Sequence, residues 1–355
     1  MNMGLKAIDM FCGCGGMGLG LKKAGFDVLY ANDINEDAVK TYRANLKDTL
    51  VECGDITKID PLDVKKKIKN QKIELIVAGT PCQGFSTSGK RNPNDPRNKL
   101  FKQLIKFVNE FQPKIFVMEN VSGLLNMEDG NTFEHISKSF KAIGYNVHHD
   151  ILTASDFGVP QNRKRVFIIG TKNKIPKSKL FPKTRKKETI SVEEAISDLA
   201  FLGLNAKTNS YKIKPNSKYQ KKMRMKSKNI QNHESANHSE KIQKRFAKIP
   251  PGIDGRDVLD KSVTSKRDFY RMNPKNPSRT ITTLPEDFIH YKLNRIPTVR
   301  EMARLQSFPD DFIFLGPRTT GGKQRIKSCP QYTQVGNAVP PLMATAVFRK
   351  LSRVI

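Results

Sequence analysis

Short apolar runs and segments of helical periodicity alternate along residues 1–170. The apolar runs are rich in β-branched and aromatic residues, which predicts strands at 6–11, 28–32, 73–78, 115–118 and 166–170. Between these runs, apolar residues recur at the spacing of a helix, which predicts helices at 18–24, 36–46, 61–69, 99–111 and 133–143. The alternation predicts an α/β fold with a doubly wound, Rossmann-like sheet.

A glycine-rich loop follows the first predicted strand, and doubly wound sheets bind ligands at the carboxyl ends of their strands. Gly13, Gly15 and Gly18 match the pattern G-x-G-x-x-G, which is weak evidence when it stands alone. Glycines at this point let the backbone approach a ligand closely and turn into the next helix. The loop is therefore a candidate nucleotide site.

Acidic residues follow the predicted strand 28–32 and the segment 51–53. Asp33 comes about 20 residues after the glycine loop, where dinucleotide-binding folds hold a ribose hydroxyl. Asp55 follows 51–53 and has a carboxylate able to accept from an adenine amino group. Each acid taken alone is equally typical of a turn or a helix N-cap. Together with the glycine loop, the two acids indicate a cofactor that contains adenosine.

A cysteine and a glutamate follow the predicted strands 73–78 and 115–118. Most cysteines are small core residues, and that interpretation suits Cys53 and Cys329. Cys82 differs, because Pro81 precedes it and glycines bound its loop at a strand end. Glu119 ends the neighbouring strand. A thiol and a carboxyl group that face one cleft indicate covalent catalysis on an electrophilic ring.

The charge of the chain is strongly positive and unevenly distributed. The 63 Lys and Arg exceed the 34 Asp and Glu by 29. Residues 171–280 hold 28 of the basic and 10 of the acidic residues, so this stretch contributes +18. Such a concentration favours a phosphate-contacting surface over a merely solvated insert. Charge does not distinguish DNA from RNA.

Composition excludes several classes of protein. The hydrophobic fraction of 37%, with 20 Phe, is too high for a wholly disordered chain. No apolar run approaches the roughly 20 residues that cross a bilayer, and the first residues lack the blocks of a secretory signal. Five cysteines at irregular spacing argue against a disulfide framework. We therefore expect a cytoplasmic protein without membrane contact.

Several short motifs occur in one order: Pro81-Cys82-Gln83, Glu119-Asn120-Val121, Gln161-Asn162-Arg163-Lys164-Arg165 and Gln334-Val335-Gly336-Asn337. With Asp9-Met10-Phe11-Cys12-Gly13 and the segments 97–101 and 298–309, they resemble the signature of the cytosine-C5 DNA methyltransferases of the prokaryotic or phage modification type. The resemblance runs from Asp9 to about Leu351 and is interrupted only by the basic stretch.

The resemblance implies a division of the chain and a set of site residues. A catalytic and cofactor-binding domain would span 1–174, a target-recognition domain 175–290, and a return to the catalytic domain 291–355, whose C-terminal helix from 337 to about 349 would fold against the first strands. The methyl donor would be S-adenosylmethionine, with no metal, and it would be bound by Phe11, Gly13, Gly15, Asp33, Ile34, Asp55, Ile56, Pro81, Leu100, Asn337 and Val339. Catalysis would fall to Cys82, Glu119, Arg163 and Arg165.

The chemistry of these residue types suits methylation of cytosine. Carbon 5 is a poor nucleophile until the Cys82 thiolate attacks carbon 6, and a neutral Glu119 would then protonate or hydrogen-bond N3. Arg163 and Arg165, two apart on a predicted strand, would share a face and hold the base carbonyl and Glu119, or else pair with acids as surface arginines. The target base must leave the duplex to reach the thiolate. The polar loop at 84–89 would close over the DNA, or be an ordinary surface loop.

Three other functions compete with this hypothesis. An RNA (tRNA) cytosine-C5 methyltransferase would use the same catalytic residues. A nicotinamide-dependent oxidoreductase would explain the glycine loop and Asp33 but none of the later motifs, and a non-catalytic DNA-binding module would not need Cys82 or Glu119. The expected partner is duplex DNA, and we expect a monomer. A cognate restriction endonuclease would share the recognition sequence without needing to contact this chain, and the sequence neither requires nor excludes one.

Overall fold

The computed structural model describes residues 4–81, 100–184, 188–225, 227–259, 269–319 and 328–355. Contacts divide the chain into two compact units. Unit 1 comprises Met1–Thr153, Lys164–Arg185 and Pro341–Ile355, and unit 2 comprises Ala154–Arg163 and Lys186–Pro340. The two units are defined by contacts, whereas the three predicted domains are defined by function. The predicted domain boundaries at 174 and 290 therefore stay predictions.

The strands of the described residues are β1 Leu5–Met10, β2 Phe26–Asp33, β3 Leu50–Cys53, β4 Leu75–Gly79, β5 Ile115–Val121, β6 Asn146–Thr153, β7 Gln161–Asn162, β8 Lys164–Thr171, β9 Tyr270–Arg271, β10 Ser278–Arg279 and β11 Phe288–Ile289. The α-helices are α1 Gly16–Lys23, α2 Glu36–Asn45, α3 Pro61–Lys67, α4 Phe101–Phe111, α5 Asn131–Ala142, α6 Lys177–Leu180, α7 Val192–Ile196, α8 Lys218–Arg224, α9 Glu240–Ala247, α10 Gly255–Val258, α11 Val299–Leu305, α12 Gln331–Asn337 and α13 Pro341–Leu351.

Seven strands of unit 1 form one sheet in the order β3-β2-β1-β4-β5-β8-β6. The strands from β3 to β5 run parallel, and β8 is antiparallel to both of its neighbours. The central strands β4 and β5 of the sheet are almost continuously apolar, because helices cover both faces of such a sheet. The predicted doubly wound α/β fold is confirmed. Strand β6 was not predicted, because its polar residues at 148–150 break the apolar pattern of this edge strand.

The helices of unit 1 form where the sequence provides a buried face and a cap. The Asn35 side chain accepts from the backbone N–H groups of Asp37 and Ala38 and so caps α2. Helix α13 packs on α1, where a Cβ on Gly20 would lie 2.5 Å from the Cβ of Ala344. The C-terminal helix begins at Pro341, because α12 ends at Asn337 and an extended segment separates the two helices.

Unit 2 has few long regular elements in its described residues and instead contains buried charged side chains. Arg304 contacts Asp310 at 2.6 Å (Nε to Oδ1) and Asp198 at 2.9 Å (Nη1 to Oδ1), and all three side chains are fully buried. Arg295 contacts Glu301 at 2.7 Å in the same way. Burial alone would raise the pKa of Glu301, but the Arg295 guanidinium lowers it to about 2. The same arginines also donate to backbone carbonyls, Arg304 to that of Ala195 and Arg295 to that of Leu202, which a sheet would otherwise satisfy.

Some of the basic residues of 171–280 are structural rather than available to a partner. Arg271 is buried, and its guanidinium donates to the backbone carbonyls of Ile249, Phe246 and His290. Other lysines of this stretch, such as Lys241 and Lys244 on α9, are exposed. No helix among the described residues is both long and apolar enough to cross a membrane.

Candidate active site

The glycine-rich loop between β1 and α1 has an unusual backbone conformation. Phe11, Gly13 and Gly15 all have positive φ angles, of 53°, 53° and 99°. The Cys12 backbone N–H donates to the Asn32 carbonyl at 2.9 Å, which ties the loop to β2. Among the described residues, apart from its two chain neighbours, no atom lies within 4 Å of where a Cβ on Gly13 would be. The loop therefore leaves open space at its turn, as close approach of a ligand requires.

Asp33 holds this loop from the end of β2. Its Oδ2 accepts from the Gly13 backbone N–H and its Oδ1 from that of Asn35, both at 2.9 Å. Burial raises the pKa of Asp33, and these two hydrogen bonds oppose the rise. The next residue, Ile34, is 70% exposed, which is unusual for a large apolar side chain in a folded unit. Carboxylate and apolar surface thus lie side by side next to the open loop.

A buried carboxyl group lies on the other side of the same loop. Asp9 is fully buried, and its Oδ2 accepts from the Tyr42 hydroxyl at 3.3 Å. Burial raises the pKa of Asp9 to about 8. Tyr42 also packs against the loop, because a Cβ on Gly15 would lie 3.0 Å from its ring and a Cβ on Gly18 2.4 Å from its hydroxyl. Sequence reasoning missed Tyr42, since its position in α2 indicated only a core residue.

The third strand end lies beside the second. The Asn32 side chain donates to the Gly54 carbonyl at 3.0 Å and joins the two segments. Asp55 Oδ1 accepts from the Thr57 backbone N–H at 2.9 Å, and this bond lowers the pKa of Asp55. Asp55 is therefore an N-cap, as the alternative interpretation had it, and its second carboxylate oxygen can still accept from a ligand. Ile56 is buried.

Glu119 lies two residues before the end of β5, opposite the last residue of β4. The strand register pairs Gly79 with Glu119, and Asn120 Nδ2 donates to the Thr80 hydroxyl at 3.1 Å. Glu119 is 8% exposed, and its Oε1 lies 3.1 Å from Arg165 Nε. The segment that leads to Cys82 is thus anchored beside the carboxyl group.

Several predicted residues fall at or beyond the limits of the described chain. Cys82 and the loop 84–89 lie outside the described residues. Pro81 and Leu100, at either side of that gap, are both half-buried.

The two arginines of the Gln-x-Arg-x-Arg segment do not lie on one strand, which corrects that prediction. Strand β8 begins at Lys164, so only Arg165 belongs to it, while Arg163 belongs to unit 2. Arg163 is 2% exposed and donates to the carbonyls of Ile281 at 3.1 Å and Gly336 at 2.9 Å. Because Arg163 precedes the strand, the alternation of side chains along β8 does not determine where its side chain points.

The last two predicted cofactor residues lie at the end of α12. Asn337 is exposed and Val339 is buried. Within the described ranges, no three His, Cys, Asp or Glu side chains come together as metal ligands would. The expected absence of a metal stays a prediction.

The chain is similar to known proteins over nearly all of its length. The sequence pattern of the C-5 cytosine-specific DNA methylases matches residues 5–353. The type II methyltransferase M.DdeI of Desulfomicrobium norvegicum is 39% identical over 98% of this chain and 88% of its own length. M1.HphI of Haemophilus parahaemolyticus, also a type II methyltransferase, is 38% identical over 97% of this chain and 86% of its own.

A solved structure is similar as well. It is described as a DNA modification methyltransferase encoded within an E. coli prophage, and it has a TM-score of 0.80 and 28% identity over 98% of this chain and 99% of that one. The sequence and the fold therefore lead to the same family.

Proposed function

Because the chain belongs to the C-5 cytosine-specific DNA methylase family, whose members use S-adenosylmethionine, we propose that it methylates a cytosine rotated out of a specific duplex sequence, through a covalent adduct with Cys82. The observation that carries this proposal is the register of β4 and β5. The register pairs Glu119 with Gly79, and Cys82 follows Gly79 by three residues in the sequence, which supports a carboxyl group and a nucleophile at the same end of the sheet. The family description names DNA, so the RNA alternative is not favoured.

The proposed reaction assigns one step to each side chain. The Cys82 thiolate forms a bond to carbon 6, while Glu119 gives a proton to N3, so that the ring becomes an enamine nucleophilic at carbon 5. S-adenosylmethionine supplies the methyl group that carbon 5 accepts. Loss of the carbon-5 proton to a base and return of the N3 proton to Glu119 then expel the Cys82 thiolate and restore the aromatic ring. Arg165 keeps the Glu119 carboxyl group in place through its contact at 3.1 Å.

The residues around the glycine loop fit an adenosine cofactor. The open space at Gly13, the Asp33 carboxylate and the exposed Ile34 side chain suit a methionine chain, a ribose and an adenine face. We assign Asp55 and Ile56 to the adenine, and Phe11, Gly15, Pro81, Leu100, Asn337 and Val339 to the remaining contacts. The Asp33 carboxylate has about four lone-pair sites, so it can accept from a ribose hydroxyl in addition to the backbone N–H groups of Gly13, Asn35 and Ile34.

We further propose that residues 175–290 recognise the DNA sequence. The whole protein would act on duplex DNA as a monomer in the cytoplasm. Exposed lysines there, such as Lys241 and Lys244, supply phosphate contacts that weaken with salt. A restriction–modification role follows from the names of the relatives, which are type II methyltransferases.

Trapping the adduct tests the mechanism. Bisulfite sequencing of DNA from cells that express the chain gives the methylated sequence, and an oligonucleotide with 5-fluorocytosine at that position follows. Fluorine cannot leave as the proton does, so the adduct should persist as a protein–DNA band on a denaturing gel when S-adenosylmethionine is present. Cys82→Ser should abolish both the band and methylation, whereas Cys329→Ser should change neither. Turnover on normal DNA without any trapped band would refute the covalent route.

A further inference from the structure

Two fully buried glutamines of unit 2 join three separate segments of backbone. Gln161 Oε1 accepts from the Ile281 backbone N–H at 2.9 Å, and Gln161 Nε2 donates to Gln306 Oε1 at 2.7 Å. Gln306 Nε2 in turn donates to the carbonyls of Val335 at 2.7 Å and Ala338 at 3.2 Å. We call this chain of hydrogen bonds from Ile281 to Ala338 the glutamine relay.

The relay has a direction that only amide side chains provide. A backbone N–H at one end requires an oxygen, and two carbonyls at the other end require a donor with two hydrogens. The Gln161 amide completes its own requirement by donating to the Leu305 carbonyl at 3.2 Å. A glutamate at 306 would keep the shape and the acceptor, but its carboxylate would face the Val335 and Ala338 carbonyls without a hydrogen to share.

The carbonyls at the end of the relay flank one predicted cofactor residue of this segment and directly precede the other. Asn337 lies between Val335 and Ala338, and Val339 follows directly. The same segment is tightly packed, since a Cβ on Gly336 would lie 2.3 Å from the Thr282 carbonyl oxygen. Its backbone therefore has little freedom to move while the relay is intact.

We propose that Gln306 is a positioning residue for S-adenosylmethionine: together with Gln161 it fixes the 335–338 backbone in the conformation that binds the cofactor. The inference rests on the proposed function of Asn337 and Val339. It differs from a merely structural role, because loss of the relay should weaken cofactor binding by more than it weakens the fold.

The test is the dissociation constant of S-adenosylmethionine for Gln306→Glu in the full chain, measured by calorimetry. We expect an increase of at least about 10-fold at pH 8, because the bonds to Val335 and Ala338 are lost inside the protein. The KM for DNA should change by less than about 3-fold, since Gln161 keeps its bond to Ile281 and can still donate to the carboxylate.

The pH dependence of this variant gives a second signature. Burial favours a neutral carboxyl group, which still donates one hydrogen bond to the segment. Cofactor affinity relative to wild type should therefore improve as pH falls from 8 to 6. A stability defect would follow the same protonation, so the melting temperature is measured at both pH values and the affinity should change by more than the stability does.

Gln220→Glu is the matched control. Gln220 is also fully buried in unit 2, but it donates to Ser197 Oγ at 2.9 Å and accepts from the Asn216 backbone N–H at 2.8 Å. The Gln220→Glu substitution should lower the melting temperature without changing the affinity for S-adenosylmethionine. Equal loss of affinity in both variants, or wild-type affinity in a folded Gln306→Glu, would overturn the proposal.

Two further measurements separate the outcomes. If Gln306→Glu does not fold, Gln306→Met keeps the volume without charge and should still weaken cofactor binding about 10-fold. In wild type, S-adenosylmethionine should slow hydrogen exchange of the Ile281 amide, and unchanged exchange counts against the relay. If wild type itself binds no S-adenosylmethionine, the proposed function fails and not only the relay.

Discussion

The two compact units differ in how the backbone near their predicted site residues is held in place. In unit 1, the glycine loop and the strand ends are positioned by a seven-stranded sheet, and side chains such as Asp33 add single hydrogen bonds. In unit 2, the described segments carry few long regular elements, and buried side chains such as Gln306, Arg163 and Arg271 satisfy several backbone carbonyls each.

The difference follows from where backbone polar groups find partners. A sheet pairs N–H and C=O groups along its ladders, so its side chains are free to be apolar. A buried segment without a ladder must obtain its partners from long polar side chains, and each of these is then difficult to replace. We therefore expect single polar substitutions to cost more in unit 2 than in unit 1.

The largest expected effect is a pH dependence of opposite sign in the two units. Asp9 has a folded pKa of about 8 against about 4 in the unfolded chain. Between these values the folded state keeps a proton that the unfolded state has released, so stability falls as pH rises. Relative to Asp9→Asn, wild type should lose on the order of 5 kcal/mol between pH 4 and 8, as measured by urea unfolding.

The groups around Asp9 include the Tyr42 hydroxyl, the Gly18 backbone N–H, the Asp33 carboxyl group and the Cys12 thiol. Glu301 behaves in the opposite way, because its lowered pKa of about 2 gives stability that is present at neutral pH and lost as pH falls below about 4.5. A pH-independent difference between wild type and Asp9→Asn would show that Asp9 is not a buried, protonated acid.

The second effect compares one ion pair from each unit. Arg304→Met leaves Asp198 and Asp310 buried with fewer partners and should cost about 3–5 kcal/mol. Lys65→Met in unit 1 removes a half-exposed contact with Glu110 and should cost less than about 1 kcal/mol. Chemical denaturation measures both. Similar losses from the two variants would contradict the contrast between the units.

The third effect compares two helical glycines that touch other segments. A Cβ on Gly336 would lie 2.3 Å from the Thr282 backbone oxygen, whereas one on Gly20 would meet the Ala344 methyl group at 2.5 Å. Alanine gains the same helix propensity at both positions. We expect Gly336→Ala to cost about 2–3 kcal/mol and Gly20→Ala about 1–2 kcal/mol in unfolding free energy. A larger loss of unfolding free energy for Gly20→Ala than for Gly336→Ala would mean that the backbone around Thr282 moves easily.

The smallest change in stability should accompany a large change in cofactor binding. The methyl group of Gly13→Ala meets no atom of the described, non-neighbouring residues within 4 Å, but the residue keeps a φ of +53°, so the substitution should cost about 1 kcal/mol. It should nevertheless raise the dissociation constant of S-adenosylmethionine about 10-fold or more, because the methyl group fills the space assigned to the cofactor. Gly25→Ala, at φ +90° with equally open surroundings, is the control and should leave affinity unchanged.

The sequence alone determined the sheet of unit 1 and the family of the chain. Apolar runs mark β4 and most of β1 and β5, because strands buried on both faces have few polar positions. Ligand residues follow such strands in the chain, so Asp33 and Glu119 could be assigned to strand ends from their positions. The motifs around Cys82 and Gln334-Val335-Gly336-Asn337 indicated the family that the comparisons confirm.

Only the tertiary structure decided which polar residues of unit 2 are buried and what they hold. Arg271 and Arg163 look like surface or catalytic cations in the sequence, yet their guanidinium groups bind backbone carbonyls. Gln161 and Gln306 are 145 residues apart, and no local pattern relates them. Periodicity reports contacts between near neighbours along the chain, whereas a hydrogen bond between distant segments depends on how the whole unit packs.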